Sequence, residues 1–157
     1  NFLTEHGISS YGELESKLNA VSARRDTAHA EIKRIESRSA ELALVMKHAE
    51  TYRQLKPLYD RYRKSNDKEK LLRGHESEII LFEAATRELK RLGAVPLPTT
   101  ESMKTELATL SAEKERLLAE YKTARTEAQE YDTVKQNVDA LLTVPKEQEQ
   151  QRRHELE

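Results

Sequence analysis

The run GHESEII, from Gly74 to Ile80, places a histidine and a glutamate side by side in a helical stretch. Many zinc hydrolases begin this way, with two histidines one turn apart holding the metal and the glutamate acting as general base. Here the position four residues after His75 is Ile79, which belongs to an apolar stripe. His6, His29, His48 and His154 are scattered, and none is spaced to share a metal with His75. The pair therefore reads as His75 at the edge of a packed core, with Glu76 and Glu78 on a solvated acidic face. No metal and no cofactor are expected.

Other catalytic groupings are missing as well. There is no glycine-rich phosphate loop, and the chain has only four glycines. Carboxylate pairs such as Glu113 and Glu115 fall on different faces of a helix and cannot share a proton. The expectation is a non-enzymatic chain. The chemistry its residues do suggest is electrostatic. Between Lys47 and Arg73, nine basic residues stand against four acidic ones, with Tyr52, Tyr59 and Tyr62 among them. Cations that neutralise phosphates beside aromatic faces that stack on bases suit single-stranded nucleic acid. The candidate contacts are Arg53, Lys56, Arg61, Arg63, Lys64 and Lys68, with Tyr59 and Tyr62. The competing reading makes the cations a solvated helix face and the tyrosines core.

The elements that must position these residues are helices. Ala, Leu, Glu, Lys and Arg make up more than half of the 157 residues, and only 36% are hydrophobic. That composition belongs to long helices or coiled coils, with a thin apolar seam rather than a broad core. Absent cysteine excludes disulfides and thiolate chemistry and fits a reducing compartment. No apolar run is long enough to span a bilayer, and no signal peptide is visible. A cytoplasmic location is expected, without membrane or small-molecule partners. Net charge of −1 selects no partner in bulk. With Asn1 and no Met at the start, an excised fragment is expected, with Leu156-Glu157 either native or left over from cloning.

Along the chain, Gly7 suits the residue just past a short helix, and Ser10 with Glu13 forms a capping box for the next. A seam follows with steps of four and three: Leu14, Leu18, Val21, Arg25, Ala28, Ile32, Ile35, Ser39, Leu42, Met46, Ala49. Pro57 should kink or end this helix. The turn at Lys64 to Asp67 offers Asn66 and Glu69 as caps for a second helix carrying Leu71, His75, Ile79, Phe82, Ala85, Leu89 and Leu92. Gly93 stops it, and AVPLP is extended. From Thr99 or Thr100 a third helix carries Met103, Leu107, Leu110, Lys114, Leu117, Tyr121, Ala124, Ala128, Tyr131, Lys135, Val138 and Leu142. Two long seams of matched length predict an all-α chain, a long antiparallel coiled-coil hairpin with a small helical knob at its tip. Its parts are an N-terminal cap (1–10), a first coiled-coil helix (11–51), the tip (52–98), a second coiled-coil helix (99–143) and a frayed tail (144–157). The polar seam residues Arg25, Ser39, Lys114 and Lys135 either set register or mark a face for another helix.

Three stretches carry a resemblance: FLTEHGISSYGELESKL, YRQLKPLYDRYRKSNDKEKLLRGHESEIILFEAATRELKRLGAVPLPT and LLAEYKTARTEAQEYDTVKQNVDALL. Together they resemble the C-terminal helical region of bacterial relaxases, the mobilisation nucleases of conjugative transposons and mobilisable plasmids. The similarity runs from Phe2 to Leu142. It departs at SNDKEKLL, where relatives tend to have GYSKKF, and at Phe82, where they tend to have His. The nicking chemistry of that family belongs to an N-terminal domain with a nucleophilic tyrosine and a histidine cluster, neither of which is matched here. The resemblance implies a non-catalytic interaction module in conjugative DNA transfer. Its partners would be DNA, a relaxosome accessory or coupling protein, or a second copy. Two alternatives stand beside it: a structural coiled-coil spacer or dimerisation element, and an RNA-binding antiparallel helical arm of the kind some tRNA synthetases carry.

Overall fold

In a computed structural model, residues 2–156 are described, with side chains through residue 143. The described residues form four helices: α1 (Phe2–Glu5), α2 (Tyr11–Lys64), α3 (Lys68–Arg91) and α4 (Thr100–Leu156). The chain is all-α, as its composition requires.

Local chemistry ends and starts these helices. Gly7 and Gly93 have φ of 64° and 71°, the left-handed region that glycine adopts without a Cβ clash. At Gly93 the Ala94 N–H donates to the Leu89 carbonyl (2.9 Å) and the Gly93 N–H to that of Lys90 (3.1 Å). That is a Schellman ending, closed by burial of both Ala94 and Leu89. Gly7 ends α1 by the same two bonds, Ile8 to Leu3 and Gly7 to Thr4. Ser10 caps α2 by accepting from the Glu13 N–H (3.2 Å). The Glu13 carboxylate, however, reaches back to the N–H and hydroxyl of Ser9 (2.8 and 3.1 Å), one residue beyond the expected box. Those bonds hold its carboxyl below the usual glutamate range. Thr99 caps α4 by accepting from the Ser102 N–H (3.1 Å).

Two expectations are corrected and a third is narrowed. The cap of α3 is Asp67, whose Oδ1 accepts from the Lys70 N–H (3.2 Å), rather than Asn66. A carboxylate at that position also complements the positive end of the helix dipole. Of the two outcomes expected at Pro57, the helix end does not occur: Pro57 lies inside α2, which continues to Lys64. The lost donor leaves the Arg53 carbonyl without its helical partner, a cost the packing of the following turns outweighs. α4 likewise runs past Pro145 to Leu156, through the expected frayed tail. The Lys, Glu, Gln and Arg residues there are good helix formers without needing a seam; their side chains lie outside the described ones. A further finding is the break in α3 at His75 (φ −139°, ψ 30°), directly after Gly74, the weakest helix former in that element.

The chain divides into two compact units. The first comprises Asn1–Ile32 and Glu115–Glu157. Its core is Ile8, Leu14, Val21, Ala124, Ala128 and Tyr131, flanked by Phe2, Leu3, Leu18, Val134 and Val138. The Tyr11 hydroxyl donates to Asp139 Oδ1 (2.6 Å), and Arg24 pairs with Glu127 (3.0 Å). Contacts rise in α2 as they fall in α4, so these segments are antiparallel. The bond to Asp139 holds the Tyr11 phenol above its ordinary range. Leu142, the last expected seam position, is 57% exposed.

The second unit is Lys33–Lys114, which contains the whole 52–98 stretch. Ile35, Leu42, Val45 and Ala49 of α2 are buried, as are Ile79, Phe82, Ala85 and Leu89 of α3 and Met103 and Leu110 of α4. Phe82 lies between two stacked rings, Tyr52 at 5.0 Å and Tyr59 at 4.3 Å. Arg38 holds both oxygens of Glu106 (2.8 and 3.2 Å) and one of Glu41 (3.1 Å). Each large apolar side chain buried contributes roughly 1.5–3 kcal/mol, whereas an alanine contributes much less. The second unit, with its aromatic stack, therefore carries the larger apolar share.

Candidate nucleic-acid interface

All eight residues singled out for nucleic-acid contact lie in the second unit. The structure separates them into three groups. Arg53 and Lys56 are already engaged. Arg53 donates to the Pro98 carbonyl (2.6 Å) and to Thr100 Oγ1 (2.8 Å), fastening the segment that leads into α4. Lys56 pairs with Asp60 one turn on (3.1 Å), and that hydrogen bond raises its ammonium above the ordinary lysine range.

The tyrosines form the second group. Tyr59 is half-buried and stacked on Phe82, and Tyr62 is half-buried with its ring 5.9 Å from Tyr59. One face of Tyr59 is thus used inside the protein. The reading of these rings as core fits their geometry better than a stacking platform for bases.

Arg61, Arg63, Lys64 and Lys68 are the third group. All four are exposed, and none makes a side-chain hydrogen bond or ion pair among the described residues. The first three occupy the last turn of α2 and Lys68 opens α3, with only Ser65, Asn66 and Asp67 between. At the end of α2 they face carbonyls carrying partial negative charge, which is a favourable place for cations without any ligand. Lys68 sits at the positive end of α3, where its charge gains nothing from the helix; Asp67 and Glu69 offset it locally. A shallow open depression, lined by Asp60, Arg61, Lys64, Ser65 and Leu71, lies beside the turn. Such a surface can neutralise phosphates or carboxylates.

His75 is half-buried at the α3 break, its Nδ1 3.5 Å from Glu78 Oε1, while Glu76 and Glu78 are exposed and Ile79 is buried. Among the described residues, no group of three or more histidines and carboxylates is placed to hold a metal ion. No described helix is long and apolar enough to cross a membrane.

The polar seam residues behave unequally. Lys114 reaches Glu36 (3.7 Å), whereas Arg25 pairs with its neighbour Asp26 (3.0 Å). Register is held mainly by residues flanking the seam, Arg24 with Glu127 and Arg38 with Glu106. In heptad terms each of these four precedes an a position. Antiparallel helices bring such g positions face to face. Over residues 17–38 of α2 these positions are Lys17, Arg24 and Arg38, with Glu31 the exception, and over 106–127 of α4 they are Glu106, Glu113, Glu120 and Glu127, a pattern readable in the sequence. No family model, curated protein or solved structure matches the chain, so none links it to relaxases.

Proposed function

We propose that the chain is a non-catalytic interaction arm, an antiparallel coiled-coil hairpin whose α2–α3 turn presents a basic surface to DNA. We place it, on the resemblance of its sequence, in a relaxase-like mobilisation protein of conjugative DNA transfer, acting in the cytoplasm. The observation that carries the reading is the cluster of Arg61, Arg63, Lys64 and Lys68, exposed and without a side-chain partner among the described residues. Exposed cations gathered on one turn release condensed counterions when they meet a phosphate chain. The mechanism is positioning: the helices set reach, and the turn holds the strand. Because the tyrosines pack inward, recognition is electrostatic and indifferent to base sequence.

The test is fluorescence anisotropy with single-stranded DNA, duplex DNA and a structured RNA, beside an Arg61→Glu/Arg63→Glu/Lys64→Glu variant. Binding to DNA that the variant loses supports the reading. A clear preference for RNA would replace it with an RNA-binding arm. No binding at low salt would remove the nucleic-acid role.

A second reading has an observation of its own. Leu141 and Leu142, at the end of the α4 seam, are 72% and 57% exposed. A spacer that works by pairing with another copy would cover them. Light scattering distinguishes the two, since pairing requires an oligomer and the DNA arm does not.

A further inference from the structure

The structure assigns a second docking surface to the unit formed by Lys33–Lys114, independent of the basic turn: a groove that takes an acidic amphipathic helix. It lies between α2, over residues 43–54, and the first turns of α4, and has a volume of about 580 Å³. Its floor holds Met46 and Met103, which are both of the methionines in the chain. Met46 is half-buried and offers the small apolar surface, whereas Met103, at 1% exposed, lines the groove as a closed part of the core. Unbranched and polarisable, methionine reshapes to fit partner side chains, and it recurs on surfaces that receive helices.

The rim gives the sign of the partner. Lys47, Arg53 and Lys104 stand around the floor against one carboxylate, Glu50. Lys47 and Lys104 are exposed and have no side-chain hydrogen bond or ion pair among the described residues. Arg53 donates only to neutral oxygens, so its charge is uncompensated. A groove with excess positive charge on its rim and an apolar floor complements a helix with glutamates or aspartates flanking one apolar stripe. A phosphate chain fits the rim but gains nothing from the floor, and no aromatic ring is there to stack on a base. The α2 face is about 16 Å long, which accepts about three turns of partner helix.

The chain's two methionines make the test direct. With 13C-methyl-labelled methionine, two signals report the groove, and Met46→Leu assigns them. The probes are a helical peptide of about 12 residues with leucines at i, i+3, i+4 and i+7 among glutamates, the same peptide with lysines for glutamates, and a single-stranded oligonucleotide. The glutamate peptide should shift both methyl signals saturably, and Lys47→Glu/Lys104→Glu should weaken it about tenfold. The lysine peptide and the DNA should leave both signals in place. Circular dichroism of the double variant checks that its helices are intact. Absence of shifts up to millimolar glutamate peptide, equal shifts with both peptides, or methyl shifts driven by DNA would each overturn the assignment. DNA binding lost in the Arg61/Arg63/Lys64 variant is read separately, so either surface can fail without the other.

Discussion

At the residue scale, the fork from Arg38 to Glu106 ties α2 to α4 within the second unit. Two of the three guanidinium nitrogens, Nε and Nη2, meet the carboxylate, and that contact lowers the Glu106 carboxyl below its ordinary range. A group whose folded-state value is depressed stabilises fully above its unfolded value, and loses that contribution as pH falls through the folded one. The pair should therefore show a coupling of about 0.5–1 kcal/mol at pH 7, screened because both side chains are well exposed. An Arg38→Ala/Glu106→Ala double-mutant cycle in urea measures it, and the coupling should vanish when repeated below the carboxylate range. Gly93 gives a second prediction. A Cβ there meets nothing within 4 Å, so Gly93→Ala has only the left-handed backbone to contend with. The expected loss is about 1–2 kcal/mol, read from the denaturation midpoint, and Gly93→Asn should lose less.

At the element scale, the seams were legible because a period of alternating three and four steps survives in any tertiary setting. Every seam position from Leu14 to Ala49 is buried or half-buried, as is every one from Met103 to Val138. The glycine and Ser/Thr punctuation was legible for the same reason, since it acts through local backbone geometry. What sequence could not decide was how much disruption packing would absorb. Pro57 lies within one helix and His75 breaks another, although proline is the stronger disruptor in isolation. Changing Pro57 to Ala should return a donor to the Arg53 carbonyl and stabilise by about 1–3 kcal/mol, seen as a raised thermal midpoint. Phe82, 5% exposed between Tyr52 and Tyr59, is the reverse case. Phe82→Ala should destabilise by about 3–5 kcal/mol in the same assay.

At the scale of the whole molecule, the candidate site was legible only as a composition. The excess of cations between Lys47 and Arg73 located the right stretch, yet it could not say which were spent internally. Arg53 is committed to the Pro98 carbonyl and the Thr100 hydroxyl, far along the chain, and Lys56 to Asp60 one turn on, while Arg61, Arg63, Lys64 and Lys68 stay uncommitted. The methionine groove was invisible for the same reason, since it joins residues about fifty apart. The proposed function rests on four charges at one turn, and their number fixes a quantity. The most direct measurement is the affinity for single-stranded DNA across a salt series. Four phosphate contacts predict a slope of log affinity against log salt of about −3, falling towards zero in the Arg61→Glu/Arg63→Glu/Lys64→Glu variant. A chain that does not bind at low salt, or a slope the variant leaves unchanged, would contradict the account.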